Sequence, residues 1–216
     1  FNSDFPELYS INDMFWGCKN LKEVEFGTFK FANIIEVSYL FSGCMNLDVV
    51  NFGPGNCPFP KVQKMEGLFK GCQSLKEVDL SAFSFENVVD MSDLFSQCGS
   101  LTKVDLPKDA KIPKLQKMGA MFEGCESLTT IDWSFIEADN LENVTDLFAN
   151  CSKLGSIDLS KFKCPKCKEM EGMFKGCSSI TKVDLSALEP EDVTSIESMF
   201  EGCTKLDVVS LAGFVL

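Results

Sequence analysis

The chain contains no histidine and no arginine: its 20 basic residues are all lysine, set against 32 acids, for a net charge of −12. Each absence excludes something. Without histidine the usual general base, metal ligand and physiological pH switch are missing. A Ser-His-Asp or Cys-His hydrolase cannot be assembled from this chain. Without arginine there is no bidentate fork for phosphate or guanine, and an acidic surface repels nucleic acid, so no nucleic-acid partner is expected. No run of about 18 apolar residues exists, so no transmembrane helix is expected. The sequence has no initiator methionine and no basic-then-apolar leader. Phe1 falls part-way through a repeat, which suggests a fragment or processed product of a longer chain.

What is present is a repeat. With 45% hydrophobic and 24% charged residues, the 216-residue chain is too apolar for disorder. A Phe followed three residues later by a Cys occurs eight times: Phe15/Cys18, Phe41/Cys44, Phe69/Cys72, Phe95/Cys98, Phe122/Cys125, Phe148/Cys151, Phe174/Cys177 and Phe200/Cys203. Successive Phe are 26, 28, 26, 27, 26, 26 and 26 residues apart. Self-similarity at that period predicts a solenoid.

Aligning on the anchor Phe yields apolar columns. Met or Leu precedes it, Leu or Ile follows the Cys by three, Val or Ile stands three further on, and Leu, Phe or Trp two beyond that. Val78-Asp79-Leu80 alternates in, out, in, which predicts a strand. Val88, Met91, Leu94, Phe95 and Cys98 follow a helical period, which predicts a short helix of two or three turns. Stacked at about 4.8 Å per rung, the strands would form one parallel sheet about 35–40 Å long. The two longer spacings accommodate Gly53-Pro54-Gly55-Asn56 and Pro107-Lys108-Asp109, expected as surface bulges after the strand. No linker or second domain is evident, so residues 1–216 read as one solenoid domain.

The repeat M/L-F-x-G-C-x-S-L-x-x-V-D-L-S-x-F-x-x-x-N-V-x-x-M resembles the BspA-type leucine-rich repeat of bacterial and protist surface proteins. Met91 through Leu106 and Met121 through Asp132 carry the likeness best, and it extends over the whole chain. The resemblance implies an α/β leucine-rich repeat solenoid of about eight 26-residue repeats, with one parallel sheet and short helices opposite. It also implies a cell-surface or secreted protein without enzymatic activity or cofactor that binds other proteins. The chain departs from the family in its heavy use of cysteine.

Eleven cysteines invite a disulfide or metal reading. Eight occupy the anchor column; the others are Cys57, Cys164 and Cys167, the last two forming Cys164-Pro165-Lys166-Cys167. Each extra Cys falls in a column filled mostly by apolar residues, so core thiols are the favoured reading. Zinc or redox use is the alternative, though no second pair or histidine completes a site. In leucine-rich repeats the anchor position satisfies loop backbone groups, and a thiol can supply a modest hydrogen bond there. An odd total and inward pointing favour reduced thiols, hence a reducing compartment or deep burial; an intracellular location is therefore the alternative to the surface.

A column of acids follows the strand Val/Ile: Asp79, Asp105, Asp132, Asp158 and Asp184. One reading is a stripe that binds Ca²⁺ or a cationic partner. The plainer reading is that each Asp bonds the turn after its strand, or pairs with Lys103 and Lys182. The remaining outward positions are Thr, Ser and Gly, without the aromatic anchors of tight interfaces. Charge on the other faces alternates by repeat. Lys64, Lys114, Lys117 and Lys163 stand in repeats three, five and seven, and Asp90, Glu142 and Glu189 in four, six and eight. Register-fixing salt bridges explain this; lateral assembly with another copy is the sharper alternative. Of two N-x-S/T sequons, Asn143-Val144-Thr145 is placed on an outward helix position and is a candidate glycosylation site, while Asn150 abuts Cys151.

These observations favour a non-enzymatic module that binds protein partners through its repeat faces, in surface recognition or adhesion. The competing reading is a structural subunit or scaffold packed permanently into a larger assembly with other subunits.

Overall fold

The computed structural model describes residues 7–27, 31–53, 58–107, 112–131 and 138–212. Cys57 and Asp132 lie outside the described residues, as does most of each of the two expected bulges. Parallel pairing runs from the first repeat to the last. The residue five before each anchor Phe bridges its counterpart in the next repeat: Ser10, Glu36, Lys64, Asp90, Lys117, Asn143, Glu169 and Ser195 form one unbroken series. The chain is thus a repeat solenoid, each turn hydrogen-bonded to its neighbours.

Among the described residues six short strands form: β1 (Glu23–Glu25), β2 (Val49–Asn51), β3 (Glu77–Asp79), β4 (Lys103–Asp105), β5 (Lys182–Asp184) and β6 (Val208–Ser210). They form as expected around the central Val. Val78 and Val183 are buried, while their flanking residues are exposed. Among the described residues they do not make one continuous sheet, however. They pair as β1-β2, β3-β4 and β5-β6, three separate two-stranded parallel ladders. Each ladder joins repeats exactly one 26-residue period apart, as Glu77 with Lys103. Pairing breaks between β2 and β3 and after β4, where the 28- and 27-residue repeats fall.

No helix occurs among the described residues, which corrects the expectation of short helices opposite the strands. The reason is in the backbone. The residues two before and two after every anchor Phe have positive φ: Asp93 and Gln97 at 57° and 61°, Ala120 and Gly124 at 53° and 69°. A right-handed helix cannot pass through such residues. The segment is instead a run of tight turns. Leu94, Ser96 and Cys98 donate N–H to Met91, Asp93 and Phe95 within the repeat. The alternate amides of Asp93, Phe95 and Gln97 donate across to the carbonyls of Gly119, Met121 and Glu123 in the next. Half of the amides close turns and half bind the neighbouring repeat, so no backbone donor is stranded.

The core is columnar. Phe41, Phe69, Phe95, Phe122, Phe148 and Phe174 are fully buried. Their rings form one stack from Phe15 to Phe200, with centroids 5.5–5.8 Å apart and planes within 20° of parallel. Each such burial contributes on the order of 2–3 kcal/mol, and the contact is shared by both neighbouring repeats.

Candidate functional site: the outward strand face

The anchor cysteines belong to the scaffold. The Sγ–H of Cys44, Cys72, Cys98, Cys125, Cys151, Cys177 and Cys203 donates to the carbonyl of the anchor Phe one repeat earlier, at 3.0–3.2 Å. That carbonyl already accepts the N–H of its own Cys, so the thiol takes its second lone pair. Burial pushes the Cys98 thiol up to about 12. Such sulfurs are protonated donors, not nucleophiles. Cys164 and Cys167 are fully buried in the core as well.

The acid column serves the turns. Asp79 accepts the N–H of Ser81 at 2.8 Å, Asp158 that of Ser160 at 2.9 Å, and Asp184 that of Ser186 at 3.0 Å. Asn51 does the same for Gly53 at 2.8 Å. Bonds from Ser81, Ser160 and Ser186 hold these three carboxyls below their usual range. Asp105 lies beside Asp79 in the ladder and takes the Lys103 ammonium at 2.5 Å, which offsets that like-charge contact. Among the described residues no group of three or more His, Cys, Asp or Glu is arranged to hold a metal ion.

Asn143 is not on a helix. It is a rung of the bridge series, where its Oδ1 accepts the N–H of Thr145 at 3.0 Å and its Nδ2 donates to Glu169. The atom that a glycan would modify is already engaged.

The alternating charges join neighbouring repeats. Lys64 pairs with Glu36 at 2.8 Å, Lys70 with Asp93 at 2.8 Å, Lys163 with Glu189 at 2.9 Å and Lys175 with Glu201 at 3.1 Å. Lys61, Lys114 and Lys166 reach back to Asn33, Asn87 and Asn140 of the preceding repeat. These contacts set register between repeats and leave the outward strand face to other work.

That face carries a concavity in the first four repeats. A groove of about 480 Å³ is lined by Lys22, Glu23, Asp48, Val49, Ser74 and Lys76 among others. It adjoins a second of about 360 Å³, which shares Asp48, Val49 and Lys76 and reaches Asp79 and Asp105. The residue seven after the anchor Phe builds it: Lys22, Asp48 and Lys76 alternate in sign across three rungs. Val49 is 44% exposed on its floor. In repeats four to seven the same column holds Thr102, Thr129, Gly155 and Thr181, without charge, before Asp207 in the last. Reading along the chain did not reveal this groove; reading down that one column does.

The sequence profile of one family matches three overlapping stretches, residues 9–133, 55–156 and 116–211; the family is described as Mycoplasma protein of unknown function, DUF285. The chain belongs to DUF285. The matches together span all eight anchors, as a repeat family requires. No curated protein matches it. Among solved structures, a leucine-rich repeat protein of T. pallidum is similar at 22% identity over 73% of this chain and 67% of that one, with a TM-score of 0.48. One from Bacteroides ovatus is 19% identical over 94% of this chain, which spans 64% of its length, with a TM-score of 0.39. A leucine rich cell surface protein of Faecalibacterium prausnitzii is 18% identical over 94% of this chain and 83% of its own, with a TM-score of 0.33. The solenoid assignment for this DUF285 chain rests on its own rung-by-rung pairing. No helix among its described residues is long and apolar enough to cross a membrane.

Proposed function

We propose that this DUF285 chain is a non-enzymatic protein-binding module of surface recognition or adhesion, and that it takes its partner on the outward face of β1–β4. The groove over β1–β4 carries the reading. It joins an exposed apolar floor at Val49 to lysines and acids that alternate across the rungs. Such a surface suits an extended protein segment of mixed charge with one apolar side chain, and its charges favour specificity over raw affinity. The BspA-type resemblance of the repeats points the same way. A photo-crosslinker at position 49 tests it: partner adducts are expected there and not from a crosslinker at position 166. Equal labelling from both positions would refute the assignment of this face.

A structural subunit in a larger assembly is the second reading, and one observation favours it. Apolar side chains are exposed at both ends of the described solenoid: Tyr9, Met14 and Trp16 in the first repeat, Val208, Val209 and Leu211 in the last. Trp16 is 68% exposed. Light scattering separates the two. A stable monomer at micromolar concentration supports the recognition module and counts against an obligate subunit.

A further inference from the structure

Among the described residues, two cysteines, Cys164 and Cys167, remain outside the anchor column and outside the groove. In repeats two to seven the residues ten and seven before the anchor Phe are the ends of one tight turn. The later residue donates its N–H to the earlier carbonyl: Ile34 to Phe31, Val62 to Phe59, Val88 to Phe85, Leu115 to Ile112, Leu141 to Ala138 and Cys167 to Cys164, at 3.0–3.2 Å. From repeat three on, both side chains of the pair are buried. Among these six turns, repeat seven alone fills both positions with thiols.

We propose that Cys164 and Cys167 form a disulfide site, a staple across the Pro165-Lys166 turn. The geometry carries this. A turn closed by that hydrogen bond brings its end Cα atoms within about 7 Å, and a disulfide needs about 4.4–6.8 Å. Pro165 holds the first central position, where its fixed φ favours the turn. Both thiols are 0% exposed, in two apolar columns that the turn brings together. Seven of the anchor thiols are committed to Phe carbonyls and are not so arranged.

The oxidant is a small-molecule disulfide such as glutathione disulfide. One thiol of the pair loses its proton to solvent and attacks the external disulfide. A mixed disulfide forms and one thiolate leaves. The second thiol of the pair then loses its proton and attacks the mixed disulfide, forming the Cys164–Cys167 bond and releasing the second thiolate. The leaving thiolates take up the two protons, so the dithiol is oxidised and one external disulfide becomes two thiols. Because the pair is buried, exchange proceeds through local opening of the corner or during folding.

The test uses the whole chain in two arms. In one, native protein is incubated with excess glutathione disulfide; in the other, reduced unfolded protein refolds in the same buffer. Each is then unfolded, alkylated, digested after lysine and weighed. The expected result is a drop from eleven titratable thiols to nine, with the 164–168 fragments joined and two hydrogens lighter. Appearance in either arm supports the proposal. Alkylation or glutathione adducts on both cysteines in both arms would overturn it, as would joining of anchor cysteines instead. The double variant Cys164→Ala, Cys167→Val installs residues that the same columns hold at Ala138 and Val88, so it is expected to fold. It should keep all nine of its thiols; loss of two would also overturn the proposal.

Discussion

The thiol of Cys98 donates its hydrogen to the carbonyl oxygen of Phe69, one repeat earlier, at 3.0 Å. The same carbonyl accepts the Cys72 N–H. Cysteine therefore ties two repeats together at the point where Phe fills their core.

Removing that tie has a predictable cost. Cys98→Ala loses one buried hydrogen bond, about 1 kcal/mol, and leaves a small void and an under-satisfied carbonyl. A total of about 1–2 kcal/mol is expected from urea denaturation. Cys18 is exposed, so Cys18→Ala should stay within about 0.5 kcal/mol. Equal effects at the two positions would show that the thiol bond contributes nothing.

The left-handed positions give a paired comparison. Gly67 has φ +57°, and a Cβ there would strike the Tyr39 ring, whose hydroxyl is held by Glu66. Gly17 has φ +70° and open space around it. Gly17→Ala should lose only the backbone term, roughly 1–2 kcal/mol. Gly67→Ala should lose about 1 kcal/mol more. Adding Tyr39→Ser to Gly67→Ala is expected to recover that excess in a thermal melt.

Period, core columns and the role of the anchor Cys were legible in the sequence because eight repeats state each of them. The local backbone was not. Val88, Met91 and Leu94 lie three apart, and both a helix and successive three-residue turns bury residues at that spacing. The signal that separates them is glycine two after the anchor, present in six of eight repeats as Gly17, Gly43, Gly71, Gly124, Gly176 and Gly202. A helix would not carry Gly so regularly in its interior. The acid column was read in two ways, and the backbone of Ser81, Ser160 and Ser186 accounts for Asp79, Asp158 and Asp184. The groove stayed hidden because Lys22, Asp48 and Lys76 sit 26 and 28 residues apart and meet only across rungs.

Acid should weaken the fold through those same aspartates. Asp79, Asp158 and Asp184 have folded values below their unfolded ones. Their contribution is thus fully present above the unfolded value, about 3.9, and is lost as pH falls through the folded values. Asp158→Asn should keep the turn bond, as Asn51 does, and lose less stability below pH 4. Asp146 runs the other way. Burial, then Glu123 and Glu171, raise it, so its ionised form opposes folding at neutral pH. Asp146→Asn is expected to raise the melting midpoint at pH 7. A fall would contradict the assignment.

The acid column should not bind calcium. Asp79, Asp158 and Asp184 each spend an oxygen on a turn amide, and Asp105 is neutralised by Lys103. Calcium requires about six to eight converging oxygens. Isothermal calorimetry with millimolar Ca²⁺ is expected to show no binding heat. A saturable signal that Asp79→Asn abolishes would restore the cation stripe.

The ring stack makes the most demanding prediction. Phe122 lies between Phe95 and Phe148, with centroids 5.5 and 5.8 Å away. Repeats fold by adding interface terms between neighbours, so one side chain serves two interfaces at once. Phe122→Ala should cost about 3–5 kcal/mol. Because that loss falls at mid-chain, it should also uncouple the two halves. Urea unfolding is then expected in two steps, and amide exchange should accelerate first in repeats four to six. Phe200 stacks on Phe174 and is half-buried, so Phe200→Ala should leave a single transition, shifted by less. Two steps from both variants, or from neither, would show that cohesion does not run through the phenylalanine stack.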